Sequence, residues 1–310
     1  KFTEALAFYD KAFGARPSGD LGWRRLHCLR KLGKHEEVEA VGLPLRESFP
    51  ENELIRSEMA WSIWEGKVRP AKAKNDHLTV LEQATRILDL GVNDIALRVA
   101  VFAGIGAARE LGMWETVNEF CDRLKKETLT VYPKMENGKK LPSQRELWYF
   151  AKIKALLQLK RFEECREVSI QAARDFPHRL DFSRWAALSL EGQGRVEEAV
   201  EELLAITKNG RAPWYLFADL AKLESQLGRS DRGWEHAVKA ALLPGELKGK
   251  VNLFSLMAGL AENLGHQAEA ARHALLSLQI REQENWHVPA ELQELLFRLP
   301  TTEPAPDLKS

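Results

Sequence analysis

LDFSRWAALSLEGQGRVEEAVEELLAITKN, residues 180–209, holds the pattern that decides the fold. Leu180, Trp185, Leu188 and Leu190 form one apolar stripe, and Val196, Ala199, Val200, Leu203, Leu204 and Ile206 form a second at spacings of three and four. Such spacing follows the helical period with one face buried. Gly194 stands between the stripes. A glycine can take the left-handed conformation that closes a helix C-terminus without a Cβ penalty. The stretch therefore predicts two antiparallel amphipathic helices around a tight turn. Ala199, five residues past the glycine, falls where the helices cross most closely.

The same punctuation returns on both sides. Leu32-Gly33 leads to Val38, Leu111-Gly112 to Val117, Leu227-Gly228 to Gly233 and Leu264-Gly265 to Ala270. Leu159-Lys160 leads to Cys165, with lysine in the glycine's place. From 160 to 194 to 228 the interval is 34 residues, twice. A fixed period of this size marks stacked repeats rather than a single globular core. Helix pairs are predicted near 19–48, 52–90, 93–128, 143–176, 180–209, 213–242 and 249–281. Pro17, Pro50 and Pro177 each fall twelve residues after a small position and close a unit, because proline lacks the amide donor and disfavours helix before it.

Residues 1–17, KFTEALAFYDKAFGARP, match only the second helix of a unit. The array thus reads as half a unit already in progress at Lys1, continuing over 18–298 with an irregular part at 51–142. Residues 299–310 are polar and proline-bearing and read as a flexible tail or linker. The beat falters at two basic segments, GKVRPAKAKND (66–76) and TLTVYPKMENGKKLPS (128–143), both expected to be long loops.

A 34-residue unit with an early aromatic, a turn glycine, a small residue in the second helix and a closing proline resembles the tetratricopeptide repeat family. RFEECREVSIQAARDFP (161–177) and GRVEEAVEEL (194–203) carry the resemblance best, and it covers 1–50 and 143–281. Lys160 for glycine and Gly233 for alanine depart from the pattern. The resemblance implies an all-α, right-handed solenoid of antiparallel helix pairs whose first helices line a concave groove. It also implies a non-catalytic scaffold or adaptor that binds a partner peptide or domain there. Projecting the register places Trp23, His27 and Arg30 in the groove from one unit and Phe150 and Lys154 from another. Arg184, Tyr215 and Lys222 come from the two units that follow. The Lys/Asn set with which members of this family clamp a chaperone's terminal carboxylate is absent at these positions. HALLSLQIREQENWHVPAEL (273–292) resembles the tail of repeat proteins from prokaryotic conflict and phage-defence systems, which implies a subunit of a larger antiviral complex.

Composition narrows the function classes. Lys plus Arg and Asp plus Glu balance at 45 each, so no global field favours nucleic acid or an anionic membrane. No apolar run approaches the ~20 residues needed to span a bilayer, and no leader sequence is visible at the start. Cys28, Cys121 and Cys165 are an odd number without CxxC spacing, which suits small apolar positions on helices and a reducing, cytoplasmic setting. The eight histidines form no HExxH or zinc-spaced cluster. GIGAARELG (104–112) lacks the third glycine and preceding strand of a dinucleotide fingerprint, so Gly104 and Gly106 read as sites of close helix packing. Glu197, Glu198, Glu201 and Glu202 read as a solvated helix face. No catalytic residue, metal or cofactor is expected.

Two further readings remain at this level. Lys67, Arg69, Lys72 and Lys74, with Lys134, Lys139 and Lys140, could neutralise phosphates and make the chain a nucleic-acid-associated component of a defence complex. Alternatively, the chain is the regulatory or sensor arm of an enzyme whose catalytic domain lies outside these residues.

Overall fold

A left-handed residue stops the first helix of nearly every pair. Gly33, Gly112, Gly194, Gly228 and Gly265 all have φ between 69° and 79°, and Lys160 has φ 57°. At these turns the amide three residues past the helix reaches back to close a Schellman motif. Lys34 N–H donates to the Leu29 carbonyl at 3.0 Å, Arg195 to Leu190 at 2.9 Å and His266 to Ala261 at 2.8 Å. The residue five positions on is then buried: Val38, Cys165, Ala199 and Ala270 are fully enclosed. At Gly233 a Cβ would stand 3.0 Å from Leu260 and 3.2 Å from the Ala221 carbonyl, so the crossing there admits little more than glycine.

The computed structural model describes residues 1–208 and 212–299. It divides into two compact units, meeting in sequence at Leu159 and Lys160. The first unit contains α1 (Phe2–Ala15), α2 (Gly19–Lys31), α3 (His35–Ser48), α4 (Glu53–Ile63), α5 (Arg69–Ala73), α6 (His77–Asp89), α7 (Asp94–Glu110), α8 (Trp114–Asp122) and α9 (Gln144–Gln158). Strands β1 (Lys134–Glu136) and β2 (Lys139–Leu141) form an antiparallel hairpin before α9. The second unit contains α10 (Phe162–Asp175), α11 (Leu180–Gly192), α12 (Val196–Thr207), α13 (Trp214–Gln226), α14 (Ser230–Leu242), α15 (Val251–Asn263), α16 (Gln267–Gln283) and α17 (Ala290–Arg298). Within each unit successive helices pack on one another, as in stacked antiparallel pairs.

Each stack has its own core. In the second unit Leu190, Leu203, Leu216, Leu220 and Leu223 are shut away from solvent, joined by Phe217 and Phe254. Burying one such leucine contributes about 1.5–3 kcal/mol, so the neighbouring pair is what makes each amphipathic helix stable. In the first unit Leu26, Ile55, Val80, Ile87 and Ala100 play the same part. Side-chain caps start several helices, and Ser143 and Glu146 form a reciprocal capping box at α9, with bonds of 3.2 and 2.7 Å.

Two expectations change. Residues 66–76 are not a loop. A π-turn, Trp64–Val68, continues α4 directly into α5, and only Lys74–Asp76 turn. The cause is Pro70, which has no amide to donate and whose ring crowds the preceding turn of an α-helix. The widened turn absorbs it, with the Arg69 amide bonding to the Trp64 carbonyl five residues back. Asn75 then closes α5 at φ 55°, with the Asp76 amide on the Ala71 carbonyl at 2.9 Å. Val80, five residues later, is buried, so the beat persists with asparagine as its glycine. Residues 128–143 contain the hairpin, turned by Asn137-Gly138 at φ 50° and 73°, the positive pair that a type I′ turn requires. Of the expected tail at 299–310, Leu299 is buried against the Leu292 and Leu295 cluster and the remainder lies outside the described residues.

Candidate functional site

The first helices of the pairs carry the residues that the register projected into a groove. In the first unit, α2 presents Trp23, His27 and Arg30. Arg30 is only 8% exposed. Its guanidinium bonds Glu58 of α4 at 2.7 Å and Glu65 at 2.6 Å, while His27 Nδ1 lies 2.9 Å from the other Glu58 oxygen. Both polar residues are therefore occupied in stitching α2 to α4. Trp23 packs partly into the core and its indole N–H donates to Asp20 at 3.0 Å. On α9, Phe150 is half-buried and Lys154 sits 5.5 Å over the Trp114 ring.

In the second unit, Arg184 of α11 forks onto Asp219 of α13, with Nη2 donating to Oδ1 at 3.1 Å and Nε to Oδ2. The same guanidinium lies 5.0 Å over the Tyr215 ring. Burial, then the charge of Asp181, pushes the Tyr215 phenol up to about 12. One helical turn and more along, Glu191 of α11 accepts from Lys222 at 2.6 Å and from Gln226 at 2.8 Å. Arg184, Tyr215 and Lys222 thus share a polar face built by α11 and α13.

Sequence reasoning missed the carboxylates of these pairs: Glu58, Glu65, Asp219 and Glu191. The signal was available as an opposite charge about one repeat away, since Arg184 and Asp219 are 35 residues apart. The basic segments divide. Lys67 is paired with Glu39 at 2.9 Å and Lys72 lies 5.7 Å from the Trp64 ring, whereas Arg69 and Lys74 are exposed. Lys139 and Lys140 lie exposed on the hairpin, and Tyr132, ahead of it in the chain, is 78% exposed. The side chain of Lys134 lies outside the described residues. Gly104 packs as expected, its face filled by the Phe120 ring, while Gly106 faces open space.

Among the described residues no three His, Cys, Asp or Glu side chains converge as a metal site, and no helix is long and apolar enough to cross a membrane. The three cysteines are buried and none is in a disulfide. Burial pushes the Cys121 thiol up to about 12, the reverse of an activated nucleophile.

No protein-family model matches this chain, and no curated protein is similar to it. Solved structures are. A tetratricopeptide repeat protein from Parabacteroides merdae matches 96% of this chain and 97% of its own at TM-score 0.51 and 13% identity. PilF of Pseudomonas aeruginosa matches 77% of this chain and 97% of its own at TM-score 0.49 and 14% identity. The APC/C hetero-tetramer Cut9–Hcn1 is similar over 96% of this chain at TM-score 0.49 and 14% identity, and this chain spans about half, 52%, of that chain's length. With its helix pairs, left-handed turns and small crossing residues, the chain is all-α and has the tetratricopeptide-like repeat fold.

Proposed function

We propose that the chain is a non-catalytic interaction scaffold, with the polar face of α11 and α13 as its principal docking surface for a protein partner. The observation that carries this reading is the Arg184–Tyr215–Asp219 cluster. A guanidinium fixed over an aromatic ring is a pre-organised anchor of the kind enriched at interface hot spots. Lys222, half-exposed and paired with Glu191, lies on the same face and adds a polar contact at its edge. Trp23 on α2 and Phe150 and Lys154 on α9 are the corresponding candidates in the first unit. Three buried cysteines outside any disulfide fit a reducing cytoplasm, and the likeness of residues 273–292 to defence-system tails makes a prokaryotic defence complex the setting to search first.

The test is affinity capture with the full chain, comparing it with Tyr215→Ala plus Lys222→Glu. Both proteins should keep the same helical circular dichroism. The reading predicts loss of the captured partner from the double variant. Undiminished capture would show that the α11–α13 face is not the docking surface.

A second reading rests on the hairpin segment, where Tyr132, Lys139 and Lys140 are all exposed, an aromatic and two cations of the kind that bind single-stranded nucleic acid. Binding to RNA or DNA oligonucleotides that weakens steeply with salt would support it, and no binding at ~50 mM salt would remove it.

A further inference from the structure

The first unit holds a cavity of about 210 Å³ between α3, α4 and α6, apart from the helix faces described above. Its floor is apolar: Val38, Met59, Ile63 and Leu90 are buried there, and Leu43, 48% exposed, stands at the mouth. One wall is charged. Glu39 of α3 accepts from Lys67 of the π-turn at 2.9 Å and from Arg86 of α6. Lys67 and Arg86 are 38% and 37% exposed, so the pair can be reached from solvent. Arg46 also lines the cavity, held by its bond to the Asp89 carbonyl at 3.0 Å. Three cations against two carboxylates leave one surplus positive charge on this lining.

The π-turn makes this arrangement. A Cβ on Gly66 would lie 2.7 Å from the His35 ring, so glycine lets the turn press against α3. His35 in turn is fixed by its Nδ1 contact of 3.0 Å to the Ser62 hydroxyl. One residue on, Lys67 is delivered to Glu39. π-turns are rare and recur at functional sites. Here the turn brings a cation to an apolar cavity, and an ammonium with three donors and a guanidinium with five can serve a second carboxylate beside Glu39.

We propose that this cavity binds a small organic monoanion, a carboxylate on a compact branched or aromatic body. Lys67 and Arg86 bond the carboxylate, Val38, Met59 and Leu90 enclose the body, and Glu39 acts as the internal counter-ion with which the ligand competes. The inference stands independently of the α11–α13 docking surface.

Titration calorimetry of the full chain with 3-phenylpropanoate and 4-methylpentanoate, each beside its neutral alcohol, tests it. Saturable binding of at least one acid, about ten-fold or more tighter than its alcohol, is expected. Arg86→Gln and Lys67→Gln should each weaken it by about ten-fold. Glu39→Gln should tighten it severalfold, an effect that mere loss of packing would not produce. Equal affinity for acid and alcohol, no saturable binding of either acid up to ~10 mM, or unchanged affinity in the Glu39 and Arg86 variants at unchanged thermal stability would each overturn the proposal.

Discussion

Arg184 and Asp219, 35 residues apart, are held together by a two-nitrogen fork that fastens one helix pair to the next. Their side chains are 25% and 14% exposed, so the bond operates partly away from water. Truncating either residue strands its partner, and Arg184→Ala or Asp219→Ala should each cost about 1–3 kcal/mol. The double variant should lose less than the sum, because the second truncation removes an already unpaired group. Urea denaturation of the four proteins measures the coupling, and strict additivity would mean the fork contributes nothing.

Gly104 and Gly106 lie two residues apart in α7 and should respond oppositely to alanine. A Cβ at Gly104 would lie 2.0 Å from the Phe120 ring, whereas none at Gly106 meets anything within 4 Å. Gly104→Ala should destabilise by about 1–3 kcal/mol through overpacking. Gly106→Ala should stabilise by about 0.5–1 kcal/mol through helix propensity. Thermal melts of the two variants check the sign of each.

Lys160 occupies a left-handed position, φ 57°, that glycine fills at Gly194, φ 79°. A side chain there costs about 1–2 kcal/mol, partly offset by the greater freedom glycine brings to the unfolded chain. Lys160→Gly should therefore raise the melting temperature slightly, and Gly194→Ala should lower it by more. A lower melting temperature for Lys160→Gly would mean that the lysine side chain outweighs its backbone strain.

His236 and His273 are half-buried against aromatic rings, His236 on Phe217 and His273 on Trp234 and Phe254. Burial pushes both imidazoles below the ordinary value of 6.5. Above 6.5 each is neutral whether folded or unfolded, and neither costs stability. Below it the unfolded chain takes up protons first, so stability should fall as pH drops from 6.5 toward the lowered folded values. Urea midpoints at pH 7.5, 6.5 and 5.5 should decline, and His236→Gln with His273→Gln should flatten the decline. A midpoint that rises on acidification would contradict this sign.

The repeat was readable because its turn chemistry is local. A left-handed residue, a helix on either side and a small residue five positions on all lie within a short window, from Gly33 to Val38 or Gly265 to Ala270. The unit between was obscured by two physical substitutions. Asparagine replaces glycine at Asn75, since its side chain tolerates the left-handed region, and the π-turn lengthens the helix ahead of it. The hairpin had its own signal in Asn137-Gly138, which the charge of the segment masked. The polar faces were harder to read. Arg30, Arg184 and Lys222 could be placed on first helices by register, but their carboxylate partners lie 28 to 35 residues away. Whether a cation is occupied depends on that distant pairing. Glu39, Lys67 and Arg86 are spread more widely, with 47 residues between the outer two, and only the folded chain assembles them.

The widened turn at Trp64–Val68 also makes the charged cavity unusually sensitive to chain length. A π-turn holds about one residue more than an α-turn, so excising a single residue here would close it to an ordinary α-turn, keep the flanking helices in register and displace the side chains of the turn itself. Lys67 would leave Glu39 while the flanking helices kept their own composition and propensity. Loss or gain of one codon in this stretch is therefore the shortest genetic path between repeats with and without the charged cavity. A descendant that lost the cavity in this way would carry the change as a gap in its alignment rather than as a substitution.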